Sequence, residues 1–134
     1  MLIFTIHLRH DKSLARDLEK AIELSYSLNK DLYRRQIIAD WKTLYRAGKS
    51  SEKFEKIVCE LLAKDIEEGL MSDINIYYNL SRLGYGKEGY DEKVFKALYD
   101  FNLKYPKNTT SAERLAYVYE NGIGTVKTKL RQSR

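Results

Sequence analysis

One proline in 134 residues, Pro106, and only seven glycines leave little to interrupt long helices. Proline removes a backbone donor and clashes with the preceding turn, and glycine costs backbone entropy. A chain this poor in both is free to spend most of its length in helix. The side-chain pattern agrees. Leu14, Leu18, Ala21, Ile22, Ser25 and Leu28 recur at the i, i+4, i+7 spacing of one helical face. Asp11 or Ser13 offers an N-cap there, and Asn29 a stop. Tyr33, Ile37, Trp41, Leu44 and Tyr45 make a second stripe, ended by Gly48. Ser50 and Ser51 offer caps to the strongest stripe, Phe54, Ile57, Val58, Leu61, Leu62 and Ile66, which ends near Gly69.

Three more helices follow. Ser72 opens one that carries Ile74, Tyr77 and Tyr78 and ends at Gly84. Asp91 opens another with Val94, Leu98, Phe101 and Tyr105, stopped by Pro106. Thr110-Ser111-Ala112-Glu113 reads as a capping box, in which hydroxyl and carboxylate satisfy free backbone N–H groups reciprocally. Ala112, Leu115, Ala116 and Tyr119 then face inward, and Gly122 ends the helix. Residues Leu2 to Leu8 form either a short N-terminal strand or the first turns of helix one. The expectation is an all-α fold of stacked helix–turn–helix hairpins, a short α-solenoid or an irregular helical bundle. It occupies residues 1–126, with a basic tail at 127–134.

The helix-ending glycines Gly48, Gly84 and Gly122 suggest a repeat. Seven residues before them stand Trp41, Tyr77 and Leu115; ten before, Ile38, Ile74 and Ala112; three before, Tyr45, Ser81 and Tyr119. A single hairpin cannot hide its apolar face, whereas stacked hairpins bury it between them. The segment Ala112 to Gly124 resembles the first helix and turn of a Sel1-like repeat. Ala112, Leu115, Tyr119, Gly122 and Gly124 match that family, and Ala116 stands where it usually carries glycine. Gly84-Tyr85-Gly86, with Asp91 and Lys93 beyond, is a weaker echo, and Tyr45-Arg46-Ala47-Gly48 a weaker one still. The resemblance implies a scaffold similar to tetratricopeptide repeats that binds other proteins. Disulfide-rich secreted members of the family pair their cysteines, so the lone Cys59 is at odds with that branch.

Chemistry for an enzyme is scarce. His7 and His10, beside Asp11, are the only histidines, and no second ligand pair at a recognised spacing follows them. Gly84 to Gly89 spells G-x-G-x-x-G, but the dinucleotide motif needs a preceding strand, and here a helix precedes. Cys59 lies among apolar residues and reads as a small buried hydrophobe. The acidic pairs Glu67–Glu68 and Asp91–Glu92 lie at helix ends and read as solvated. The chain is therefore expected not to be an enzyme and to need no metal, cofactor or small-molecule substrate. No apolar run reaches the ~18 residues of a membrane span, and the short apolar N-terminus lacks the features of a signal peptide. With a single cysteine, a cytoplasmic setting is the simplest expectation.

The charge is uneven. Of a net +5, the last eight residues hold +4. Arg34, Arg35, Lys42, Arg46 and Lys49 form a second basic cluster, interspersed with Asp31 and Asp40. Eleven tyrosines supply contact area of the kind enriched at interfaces, and Tyr85, Tyr90 and Tyr117 are expected to reach the surface. The leading expectation is a non-catalytic protein-binding module. Its most specific form is a small bacterial immunity protein that binds and neutralises a cognate toxin. The alternatives are an adaptor or scaffold of a larger complex, and a nucleic-acid-binding protein using its basic patches, whose affinity would fall steeply with salt. In helical repeats the concave face is lined mostly by each repeat's first helix. The outward positions there are Arg35, Lys42, Arg46, Asn75, Asn79, Arg82, Arg114 and Tyr117.

Overall fold

A computed structural model describes residues 12–86 and 89–125. Six helices account for most of them: α1 (Lys12–Asn29), α2 (Arg34–Arg46), α3 (Glu52–Glu67), α4 (Ile74–Arg82), α5 (Tyr90–Lys104) and α6 (Thr109–Asn121). There is no strand among the described residues. The fold is all-α and built of helical hairpins: α1 packs on α2 and α5 on α6. Residues 2–8, His7, His10 and the basic tail lie outside the described residues. No described helix is long and apolar enough to cross a membrane. The chain divides into two compact units, with the boundary between Leu61 and Leu62 inside α3.

In the first unit Ile22, Ile37, Trp41, Leu44, Val58 and Leu61 are fully buried. The Trp41 indole N–H would be costly to bury unpaired. It donates to Ser50 Oγ at 3.1 Å, and Ser50 Oγ donates in turn to Glu55 Oε2 at 3.0 Å. That relay ties α2 through the connecting turn to α3. Glu60 of α3 accepts from Tyr26 and Lys30, both near the end of α1. Cys59 is buried, as its apolar neighbours imply.

In the second unit the core includes Leu62, Ile66, Ile74, Tyr77, Val94, Leu98 and Val118. Tyr77 Oη and Ser81 Oγ, one turn apart on α4, both donate to the carboxylate of Asp91. Ser111 Oγ donates to Asn102 Oδ1 at 3.0 Å, and the rings of Phe95 and Tyr119 meet edge to face at 5.3 Å. These contacts close the α5–α6 hairpin.

Helix ends explain the glycine register. Lys49 N bonds Leu44 O, Leu70 N bonds Asp65 O, Tyr85 N bonds Leu80 O and Ile123 N bonds Val118 O. Each is the i→i+5 bond of a Schellman end, and each turns on a glycine with positive φ: Gly48, Gly69, Gly84 and Gly122. The regular glycines thus report one helix-ending motif used four times. Burial follows the proposed repeat only in part. Trp41 and Tyr77 are both buried, as are Ile38 and Ile74, but Ala112 at the third position is exposed.

Several sequence expectations are corrected. Ser13 lies inside α1 rather than capping it. Leu28 is 65% exposed, because it sits about 120° around the helix from the buried Ala15–Ile22 line. Tyr33, Tyr45 and Tyr105 are exposed, at helix ends where the packed face runs out; Tyr45 stacks on Trp41 at 4.8 Å, and the Tyr105 ring meets Phe101 at 4.8 Å, tilted by 49°. Asp73, not Ser72, immediately precedes α4. Asp91 does not open α5. Gly89 occupies the N-cap position, and Asp91, one residue inside the helix, is held by Tyr77 and Ser81 rather than left to solvent. The capping box at Thr110 is also displaced. Asn108 Oδ1 accepts from Ser111 N at 3.0 Å, so Asn108 is the N-cap and Thr110 lies within α6. The inward line of α6 is accordingly Ser111–Val118, and Ala112 sits about 100° away from it.

Gly124, at φ 70°, lies against the backbone of Asp91, and a Cβ there would overlap the Asp91 carbonyl group. Gly69 also has positive φ, but nothing lies within 4 Å of where its Cβ would be. Gly124→Ala should therefore lose about 2–4 kcal/mol of stability from the left-handed penalty plus overpacking, and Gly69→Ala only about 1–2 kcal/mol. Urea unfolding of both variants checks this; equal losses would mean that the Gly124–Asp91 approach is not tight.

Candidate functional site

The second unit carries an open groove of about 380 Å³ between α4 and α6. Its α4 wall is Asn75, Tyr78, Asn79 and Arg82. Its α6 wall is Thr110, Glu113, Arg114 and Tyr117. Both sets follow i, i+3, i+4, i+7, the spacing of a single helical face, so each helix presents one continuous stripe to the groove. Opposite this face of α4 lie Tyr77 and Ser81, whose bonds to Asp91 fix how the helix is turned.

Two aromatic rings join the walls. Tyr78 of α4 and Tyr117 of α6 stack at 5.1 Å with an interplanar angle of 28°. The Arg82 guanidinium lies 5.0 Å from the centre of the Tyr117 ring, within cation–π range. The hydroxyl oxygens of Tyr78 and Tyr117 are closed to solvent and have no hydrogen-bond partner among the described residues. Burial pushes the Tyr78 phenol well above its ordinary range, and only the nearby positive charge of Arg114 opposes that shift.

The polar groups around this stack are unengaged. Asn75, Asn79 and Arg82 are exposed, and Arg114 is half-buried. Beyond the cation–π contact of Arg82 and the field of Arg114 at Tyr78, these four side chains have no bonded partner among the described residues. The groove therefore holds two guanidinium forks and two carboxamides ready to bond, against one carboxylate, Glu113. Among the described residues no group of three or more His, Cys, Asp or Glu is placed to hold a metal ion. Chemically the groove can bind an anionic, hydrogen-bonding ligand.

Of the eight residues singled out from sequence, five line this groove: Asn75, Asn79, Arg82, Arg114 and Tyr117. Tyr117 is half-buried rather than projecting, as are Tyr85 and Tyr90. Arg35, Lys42 and Arg46 belong to α2, in the other compact unit, at the i, i+7, i+11 spacing of one face. Sequence reasoning did not single out Tyr78, Thr110 or Glu113. Tyr78 is buried at 5% exposure, yet it also floors the groove. Thr110 and Glu113 read in the sequence as capping residues. The i, i+3 steps from Asn75 to Tyr78 and from Thr110 to Glu113 were the signals that could have added them.

A buried hydroxyl without a partner costs about 1–3 kcal/mol. Tyr78→Phe should therefore leave stability unchanged or raise it by about 1 kcal/mol. The pH dependence has a definite sign. The folded-state phenol is raised above its ordinary value near 10, so its contribution is complete below that pH and is lost as pH rises toward the folded value. Between roughly pH 9 and 11 the wild type should lose more stability than Tyr78→Phe, the difference isolating this phenol from other tyrosines. Denaturant unfolding across that range measures it, and parallel pH profiles would show that the Tyr78 phenol titrates normally.

Compared with known proteins, the chain matches no protein-family model, no curated protein and no solved structure. The chemistry of the groove itself is therefore what bears on function.

Proposed function

We propose that this chain is a non-catalytic protein-binding module that engages its partner through the α4–α6 groove. The observation that carries the reading is the set of unengaged donors on two facing helices, Asn75, Asn79 and Arg82 on one and Arg114 on the other. Donors at the surface with no internal bond are available to a complementary surface. The stacked Tyr78–Tyr117 pair adds a flat aromatic floor, and tyrosine with arginine is the composition enriched where binding energy concentrates.

The more specific form of the proposal is an immunity protein that holds and blocks a toxin. Small size, a helical scaffold and an excess of positive charge suit capture of an acidic protein surface. A cytoplasmic site of action follows from that role and from the lone cysteine. The short Sel1-like resemblance at residues 112–124 takes in Glu113, Arg114 and Tyr117 of the α6 wall and is compatible with an adaptor role as well.

Affinity capture from the native host's lysate tests the reading, with wild type, Arg82→Glu, Arg114→Glu and Arg46→Glu as baits at low and high salt. One stoichiometric protein retained at high salt should be lost from the Arg82 and Arg114 variants while their thermal unfolding is unchanged. Loss with Arg46→Glu as well would extend the interface to the α2 face. If that protein arrests growth when expressed alone and co-expression of this chain restores it, the toxin form holds. Recovery of nucleic acid alone, released by salt, would overturn the protein-binding reading.

A further inference from the structure

We infer that the α4–α6 groove receives an extended acidic segment of the partner, whose main chain is bonded by Asn75 and Asn79 and whose carboxylates are bonded by Arg82 and Arg114. The inference rests on the protein-binding reading above and adds the chemistry of the occupant.

Shape argues for an extended chain. From Asn75 to Arg82 the α4 wall spans seven residues, about 10.5 Å at 1.5 Å per residue. That is the length of about three residues of extended chain, and the groove is open along it.

Register argues the same way. Asn75 and Asn79 are one turn apart, a rise of about 6 Å. Alternate residues of an extended chain are about 6.6 Å apart and present their peptide groups in the same direction. Each carboxamide offers a donor and an acceptor, the complement of a peptide C=O and N–H. Two carboxamides at this pitch can therefore grip two alternate residues of one strand.

Charge selects the side chains. Arg82 and Arg114 stand on opposite walls, and Glu113 is the single anion between them. A guanidinium fork matches a carboxylate bidentately, and such charge-assisted bonds are about twice as strong as neutral ones. An acidic side chain beside either arginine is attracted, and Glu113 disfavours a third acid in its immediate vicinity. The Tyr78–Tyr117 stack supplies a flat apolar surface for the main chain between these anchors.

The test uses the full chain labelled with ¹⁵N and titrated with a terminally blocked Glu-Ser-Glu-Ser-Glu peptide. The side-chain amide signals of Asn75 and Asn79 and the Nε–H signals of Arg82 and Arg114 should shift together. Affinity should exceed that for the matching Gln-Ser-Gln-Ser-Gln peptide by at least about tenfold, and Asn79→Ala and Arg114→Gln should each cost about tenfold. Both side chains lie at the groove rather than in the core, so thermal unfolding should not change; a shared loss of fold would be separated by Arg114→Lys, which keeps charge but loses the fork and should still weaken binding. Equal binding of the glutamine peptide, of free glutamate, or tighter binding of a short uridylate oligonucleotide would each overturn the inference. No peptide binding while Arg82→Glu still abolishes capture of the partner protein would also overturn it, and would leave the protein-binding reading intact.

Discussion

The geometry of the second unit hangs on one half-buried carboxylate. Asp91, in the first turn of α5, accepts hydrogen bonds from Tyr77 and Ser81 of α4, and its backbone lies against Gly124 beyond the end of α6. A carboxylate in a helix's first turn is favoured by the helix dipole, which helps offset its partial desolvation. Tyr77 and Ser81 are four residues apart and share a face of α4. Asn75, Asn79 and Arg82 lie broadly opposite, since two residues advance about 200° around a helix. Anchoring the first pair to Asp91 therefore turns the second set toward α6. The groove and the junction are two sides of the same rotation.

The facing wall is set by a comparable device. Asn108 caps α6, and the buried Ser111 hydroxyl bonds Asn102 of α5. Ser111 and Val118 are seven residues apart and form the inward line. That leaves Thr110, Glu113, Arg114 and Tyr117 on an adjoining face, where Tyr117 meets Tyr78. Polar bonds between helices thus set orientation here, while the apolar core of Leu62, Ile66, Val94 and Leu98 supplies the burial. Hydrophobic contact is non-directional. It would tolerate small rotations of α4 or α6 that would scatter the groove's donors.

Much of this was legible in the sequence, and the reasons differ by element. Helix positions followed from long apolar stripes and from glycines that end helices by one hydrogen-bond pattern, so the periodicity at Phe54–Ile66 or Ile37–Leu44 carried directly into buried faces. Caps were less legible because neighbouring residues compete for the same orphan N–H groups. Thr110–Glu113 has the letters of a capping box, yet Asn108 sits two residues earlier with a side chain equally able to accept, and it bonds Ser111. Asp91 looked like a solvated helix end because nothing local shows that Tyr77 and Ser81, 14 and 10 residues back, converge on it. The groove was partly legible, since Asn75, Asn79, Arg82, Arg114 and Tyr117 are what remains polar or amphipathic once the apolar stripes are assigned. That the α2 residues Arg35, Lys42 and Arg46 belong to a different compact unit is a property of long-range packing, which periodicity does not encode.

Core packing alone does not call for the hydroxyl of Tyr78. A phenylalanine would fill the same 95% buried position and stack on Tyr117 without burying an unpaired hydroxyl. Likewise, no hydrogen bond among the described residues uses the amides of Asn75 and Asn79, and alanine there would favour the helix more. On other faces of the same helices, Ser81 and Tyr77 bond Asp91, and Ser111 bonds Asn102. Two facing stripes thus carry polar side chains without internal bonds, while the face of α4 behind its stripe is bonded to Asp91 and the inward line of α6 to Asn102.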